Sequence, residues 1–212
     1  MENEVLLQVK GLSFTYGEEP VLKDVNLIIR RGERIAVMGS NGAGKSTFFL
    51  NLNGVLRPDS GEILLCGSKI GKKELNLLRK KVGFVFQDAD SQIIAANVWA
   101  EISFGPMNLG LERREVIRRV DAAVSYLGLE ELQQRAPHYL SGGEKKQVSI
   151  ADILAMEPEL LIFDEPMAAL DPMNAQRVED ILGKLHEDGK TLLVATHDVD
   201  FAWRFADRIL VF

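Results

Sequence analysis

The chain has 212 residues, 46% of them hydrophobic, and a formal net charge of −6. That length and apolar content suffice to bury one large core or two small ones, so a globular protein is expected. The acidic balance argues against a nucleic-acid-coating surface, and the single cysteine, Cys66, excludes an internal disulfide and fits a reducing compartment.

The N-terminus, MENEVLLQV, carries acids where a leader peptide needs a basic region and an apolar run. No stretch approaches the roughly 18 apolar residues of a membrane-spanning helix, so any membrane association is expected to be peripheral. Val5 to Phe14 and Val21 to Ile29 read as strands, the second with Val25, Leu27 and Ile29 on one buried face. Tyr16 to Pro20 supplies the turn between them. Arg34 to Gly39 is a short apolar strand, and Lys45 to Leu56 reads as a helix stopped by Arg57-Pro58-Asp59-Ser60-Gly61. A strand follows at Glu62 to Cys66, with Cys66 read as a small core residue. KVGFVFQ, Lys81 to Gln87, is a further strand ending in a polar residue.

From Asp88 to Glu157 the pattern turns helical. Arg113 to Leu127 places Val116, Val120, Ala123, Val124 and Leu127 on one face, with the arginines Arg113, Arg114, Arg118 and Arg119 on a solvated one. Strands return at Leu160 to Glu165 and Thr191 to Thr196. Between them runs a helix that Asp171 can N-cap, with Pro172 at its first position and Gly189 ending it. A last strand is read over Arg208 to Phe212. Apolar strands alternating with helices imply an α/β fold around a parallel sheet covered on both faces.

Three segments carry chemistry. In Gly39-Ser40-Asn41-Gly42-Ala43-Gly44-Lys45-Ser46-Thr47 the glycines let backbone N–H groups turn inward around phosphate oxygens, at a helix N-terminus that also favours anions. Lys45 can reach the β- and γ-phosphates of ATP and Ser46 can ligate Mg²⁺. An ordinary glycine turn explains neither the lysine nor the hydroxyls. LLIFDE places Asp164 and Glu165 where a buried strand ends. Asp164 can hold Mg²⁺ and Glu165 can orient or deprotonate a water, although both can also simply cap the strand or its turn at Pro166. Ser141 with Glu144 forms a capping box, and Gly142 and Gly143 beside it expose N–H groups at a positive helix end, a second anion site. One nucleotide cannot easily use both sites, so a site shared between two subunits is expected.

The glycine loop, Gln87, LSGGE, LLIFDE, AALD (Ala168 to Asp171) and His197 resemble, in order and spacing, the motifs of ATP-binding cassette (ABC) ATPases, over essentially the whole chain. The resemblance implies a P-loop NTPase, RecA-like core with a mainly parallel sheet, an N-terminal antiparallel β subdomain and an inserted helical subdomain. Residues 1–87 and 158–212 would form the core and residues 88–157 the helical part of a single nucleotide-binding domain. It implies that Tyr16 stacks on adenine, that Gln87 senses Mg²⁺ and the attacking water, and that His197 contacts the γ-phosphate. Ser141 and Gly143 would grip the partner subunit's ATP, and Asp171 would signal across the interface. Read without the family, Tyr16 is a strand-end aromatic, Gln87 a strand terminator, and His197 a polar residue before Asp198, itself an N-cap.

Within that family the wording SFTYG, LNGVLRPDSGEI, VGFVFQDADSQI, FGPMNLGL and ATHDVDFAWRFADR is similar to the ATPases of cobalt and energy-coupling-factor importers. This implies an ATPase pair, homo- or heterodimeric, beneath an integral-membrane component on the cytoplasmic side, driving uptake of cobalt, nickel or a vitamin. Asp88 to Leu111, with Trp99, Phe104 and Met107, would then face the membrane partner, or serve as helical core. Gln147 and Asp152 depart from the arginine and glycine common in relatives, and Ala169 stands where glycine is frequent. The rival readings are a soluble cassette ATPase of DNA repair or translation and a nucleotide-gated scaffold without hydrolysis. The short insertion argues against the first, and Glu165 with His197 against the second.

Overall fold

The computed structural model describes residues 4–212; Met1 to Asn3, on which part of the leader reading rests, lie outside the described residues. Two sheets are present. In the first, β1 (Val5–Tyr16) pairs antiparallel with β2 (Glu19–Arg30) and with β4 (Ser60–Leu65), which pairs with β5 (Ser68–Lys69), giving the order β2-β1-β4-β5. The expected β1–β2 turn is tighter than read, because Gly17 takes φ 61° and the strands run on to Tyr16 and from Glu19. On β2, Leu27 and Ile29 are buried as expected and Val25 is only partly buried against the same core, while Leu22 is buried on the other side of Asp24, whose φ of 48° interrupts the alternation.

The second sheet has the order β6-β7-β8-β3-β9, from β6 (Val82–Val85), β7 (Leu160–Asp164), β8 (Thr191–Ala195), β3 (Arg34–Met38) and β9 (Arg208–Val211). β7, β8, β3 and β9 pair in parallel. Every residue of β7 and β8 is buried, as near-continuous apolar runs require. The helices are α1 (Lys45–Leu52), α2 (Leu75–Lys81), α3 (Val98–Asn108), α4 (Arg113–Leu127), α5 (Gly142–Ala155), α6 (Pro172–Glu187) and α7 (Val199–Phe205). The fold is that of the α/β P-loop NTPases.

The chain divides into two compact units. The first takes the sequence up to Phe84, Glu159–Asp164 and Leu185–Phe212, and its core gathers Phe48, Phe49 and Leu52 of α1 with Leu12, Ile29, Val37, Ile162 and Leu193. The second takes Val85–Pro158 and Glu165–Lys184, so the Asp171 loop and most of α6 fall in the same unit as the helical segment. There α4 buries the five residues read from its periodicity, from Val116 to Leu127.

Three expectations are corrected. α1 ends at Leu52 and not Leu56, because Gly54 turns left-handed at φ 73° and the amides of Val55 and Leu56 both return to Leu50 O. Cys66 is exposed: it occupies the β4–β5 turn at φ 48°, where Arg31 Nη2 donates to its sulfur at 3.4 Å. Arg119 is not a solvated residue, for only 14% of its side chain is exposed and it bonds Glu115, Glu157 and Met156 O. Among the described residues, no helix is long and apolar enough to cross a membrane.

Candidate nucleotide site

In the first unit, the glycine loop leaves β3 and enters α1 with a conformation only glycine adopts easily. Gly39, Gly42 and Gly44 take φ of 152°, 83° and 99°. A Cβ on Gly39 would stand 2.9 Å from Phe212 O, and one on Gly44 3.1 Å from the side chains of both Val21 and Leu22. Gly44 is the N-cap of α1 and provides no side-chain cap, so the first-turn N–H groups are not consumed by a capping side chain. Lys45 is 7% exposed, and its Nζ donates to Gly39 O at 2.7 Å and Ser40 O at 3.2 Å, within the loop that a phosphate would fill. Asn41, Gly42 and Ser46 are exposed, Ala43 and Thr47 partly so.

The parallel register brings further groups to the same sheet edge. Asp164 ends β7 level with Ala195 of β8, which is level with Val37 of β3. Two residues beyond Ala195, His197 is exposed. Thr196 anchors it, donating its amide to Val37 O and accepting Asp198 N at its hydroxyl, while Asp198 caps α7 through Phe201 N. Tyr16 ends β1, half exposed and edge-on to Phe14 at 4.9 Å. It lies one turn before Val21 and Leu22, the β2 residues beside Gly44.

The oxygen donors of this unit suit a hard cation. Ser46 offers a hydroxyl at the helix start and Asp164 a carboxylate at the strand end, the ligand chemistry of Mg²⁺. Among the described residues no cluster of three His, Cys, Asp or Glu could hold a metal unaided.

The second unit carries the remaining motifs. Glu165 follows Asp164 in the chain, is buried, and takes φ 45°; Ala169 takes φ 60°, the left-handed geometry that its side chain resists. Such backbone costs on the order of 1–3 kcal/mol per residue and collects at functional sites. Ser141 and Glu144 form the expected capping box: Glu144 N donates to Ser141 Oγ at 3.3 Å, and Ser141 N donates to Glu144 Oε2 at 2.7 Å. The Ser141 amide and hydroxyl hold the Glu144 carboxyl below its ordinary range. Gly142 is exposed at the start of α5, and Gly143 is buried under Asn174: a Cβ there would stand 2.2 Å from Asn174 Oδ1.

Asn174 in turn donates from Nδ2 to Asp171 Oδ2 at 2.5 Å, while Asp171 Oδ1 accepts the amides of Met173 and Asn174 to cap α6. These bonds, the Asn174 side chain first, hold the Asp171 carboxyl low. The Asp171 loop thus holds Asn174 by hydrogen bonds, and Asn174 packs directly against the bare Cα of Gly143 at the start of α5. Gln87 lies just past β6, exposed, with its carbonyl accepting from Lys146 Nζ at 2.7 Å. Sequence reading missed Asn174 and Lys146. The signal for Lys146 was a charge three residues after Gly143, on the buried stripe of α5; nothing marked Asn174.

The ABC transporter family profile matches residues 22–168. The chain is 47% identical, over 98% of its length, to the energy-coupling factor transporter ATP-binding protein EcfA2 of Methanospirillum hungatei, of which it spans 53%. It superposes with a TM-score of 0.88, at 41% identity, on cbiO1 from Clostridium perfringens, described as part of the ABC transporter complex cbiONQ; 99% of this chain and 85% of that one are covered. It also superposes, at TM-score 0.85 and 33% identity over 98% of this chain and 94% of the other, on the dimeric post-hydrolysis cassette MJ0796 bound to ADP and Pi.

Proposed function

The chain belongs to the ABC transporter family, and from that membership we propose that it is the nucleotide-binding, ATP-hydrolysing part of a membrane importer. The observation that carries this reading is the glycine loop with Lys45 folded inside it, on the sheet edge where Asp164 and His197 also stand. The backbone N–H groups of Gly39 to Thr47 and Lys45 bind the phosphates of ATP, and Tyr16 stacks on adenine. Ser46, Asp164 and Gln87 would hold Mg²⁺, which would supply charge neutralisation for the phosphate groups. Glu165 orients and deprotonates the attacking water, and His197 contacts the γ-phosphate.

The second anion site, Ser141 to Glu144, serves the ATP of a second ATPase subunit, and Asp171 reports across that interface. Asn174, bonded to Asp171 and packed against Gly143, supports pairing these two motifs, and the dimeric relative with ADP and Pi supports the pairing of subunits. Phe104 and Met107, 50% and 53% exposed on α3, together with exposed Ile94, support a docking surface for an integral-membrane component, which holds the chain at the cytoplasmic face of the membrane. The name carried by the Methanospirillum hungatei relative supports an energy-coupling-factor type of importer. Its cargo, as the sequence resemblance implies, is cobalt, nickel or a vitamin.

Glu165→Gln tests the chemistry. It keeps the side chain's shape and removes its basicity, so ATP binding should persist while phosphate release falls about 10²–10⁴-fold, the usual worth of a positioned base. Undiminished turnover would remove Glu165 from that role.

A further inference from the structure

α5 buries Gly143, Lys146, Val148, Ser149, Ile150, Ala151 and Ala155. One member of that stripe is an ammonium group. An ammonium loses much of its hydration on burial, and a methionine of similar length would fill the stripe without that loss. Lys146, 2% exposed, answers it with directed bonds: its Nζ donates to Phe86 O at 2.9 Å and to Gln87 O at 2.7 Å. Its charge also faces Asp88, whose carboxyl is held low chiefly by the Ser91 hydroxyl and the Asp90 amide, with Lys146 adding to them.

The same stretch is tied to α5 twice more. Gln92 Nε2 donates to Ser149 O at 2.8 Å and to Asp152 Oδ2 at 3.2 Å, while its Oε1 accepts Phe86 N at 3.2 Å. Lys145 Nζ reaches Asp90 at 2.6 Å on the solvent side. Of the three ties, only Lys146 holds the backbone of Gln87 itself.

We propose that Lys146 is a positioning residue for Gln87, locking the 86–88 backbone to the helix that begins at Ser141 so that the glutamine and the anion-binding helix end move as one piece. The inference rests on the roles given above to Gln87 and to Ser141 with Gly143. It makes one charged side chain the link between the chain's own glutamine and the motif it offers to a second subunit. Loss of the charge then frees Gln87 without disturbing the glycine loop that binds ATP.

The test is Lys146→Met, alone and combined with Gln87→Ala, in the full chain. In the nucleotide-free protein the protected amides of Ser91, Gln92 and Ile93 should exchange about tenfold faster, with β7 and β8 amides unchanged. Phosphate release at saturating ATP and Mg²⁺ should fall about tenfold with KM for ATP little altered, and the double variant should be no more than about twofold slower than Gln87→Ala alone. Unchanged exchange at 91–93, acceleration throughout β7 and β8, or losses that multiply in the double variant would each overturn the proposal. Full turnover in Gln87→Ala would instead overturn the role assigned to Gln87, leaving the exchange result to judge the backbone clamp.

Discussion

Replacing Asp152 by asparagine should stabilise the protein, and more so as pH rises. Asp152 lies on α5, largely but not wholly buried, and burial pushes its carboxyl from the ordinary 3.8 up to about 7; the bond from Gln92 Nε2 opposes this and the nearby Glu101 adds to it. Glu101 is itself buried, its Oε2 accepting the amides of Ile94 and Ala95. An acid whose folded-state pKa is raised costs nothing while both states keep the proton. The cost grows once the unfolded chain ionises and is complete when the folded one has too. Each tenfold in proton affinity is worth ~1.4 kcal/mol, so the full penalty approaches about 4 kcal/mol above pH 7, of which about 2.5 kcal/mol develops between pH 5 and pH 8. Because the residue is only partly shielded from solvent, roughly half of that rise, about 1–2 kcal/mol, is the expected result. Asparagine can still accept the Gln92 bond. Urea unfolding of both proteins at pH 5, 6, 7 and 8 reads the difference directly. A stability gap that stays flat over that range, or narrows with rising pH, would refute the reasoning.

Gly143→Ala places a methyl group against Asn174, and should destabilise the protein by about 1–3 kcal/mol; adding Asn174→Ala should recover most of that loss, whereas additive losses in unfolding experiments would acquit the clash. Gly61→Ala meets backbone and not a side chain, since its Cβ would stand 2.4 Å from Gly11 O at φ 89°. It should cost about 2–4 kcal/mol with no second-site remedy among side chains, and a midpoint shift within error would contradict the strain assigned to the β1–β4 pairing.

The local elements were legible because their causes are local. The α4 stripe, the buried runs of β7 and β8, the Ser141 capping box and the Asp198 cap depend on residues within a few positions of one another, and the structure forms each as read. Two of the exceptions are also local in origin, whereas Arg119 is drawn in by Met156 O and Glu157, far along the chain. The run from Lys45 looked helical to Leu56, but Gly54 offered an escape to the left-handed region that returned two amides to Leu50 O. Cys66 looked like a core residue in an apolar run until the hairpin placed it at the turn, outside the strand's alternation.

Sequence alone determined the glycine loop and the two carboxylates at Asp164 and Glu165, because phosphate binding needs particular residue types at short, fixed spacing, and the order of those motifs with Gln87, LSGGE, AALD and His197 suggested the family. Tertiary structure alone decided which of these share a sheet edge, through the parallel register of β7, β8 and β3. It alone joined Gly143 to Asp171 through Asn174, and Gln87 to α5 through Lys146. Those partners are separated by about 30 to 60 positions in sequence, and no helical or strand period links them. Only packing brings such groups together, and only burial turns an ordinary aspartate such as Asp152 into a group that titrates near neutrality.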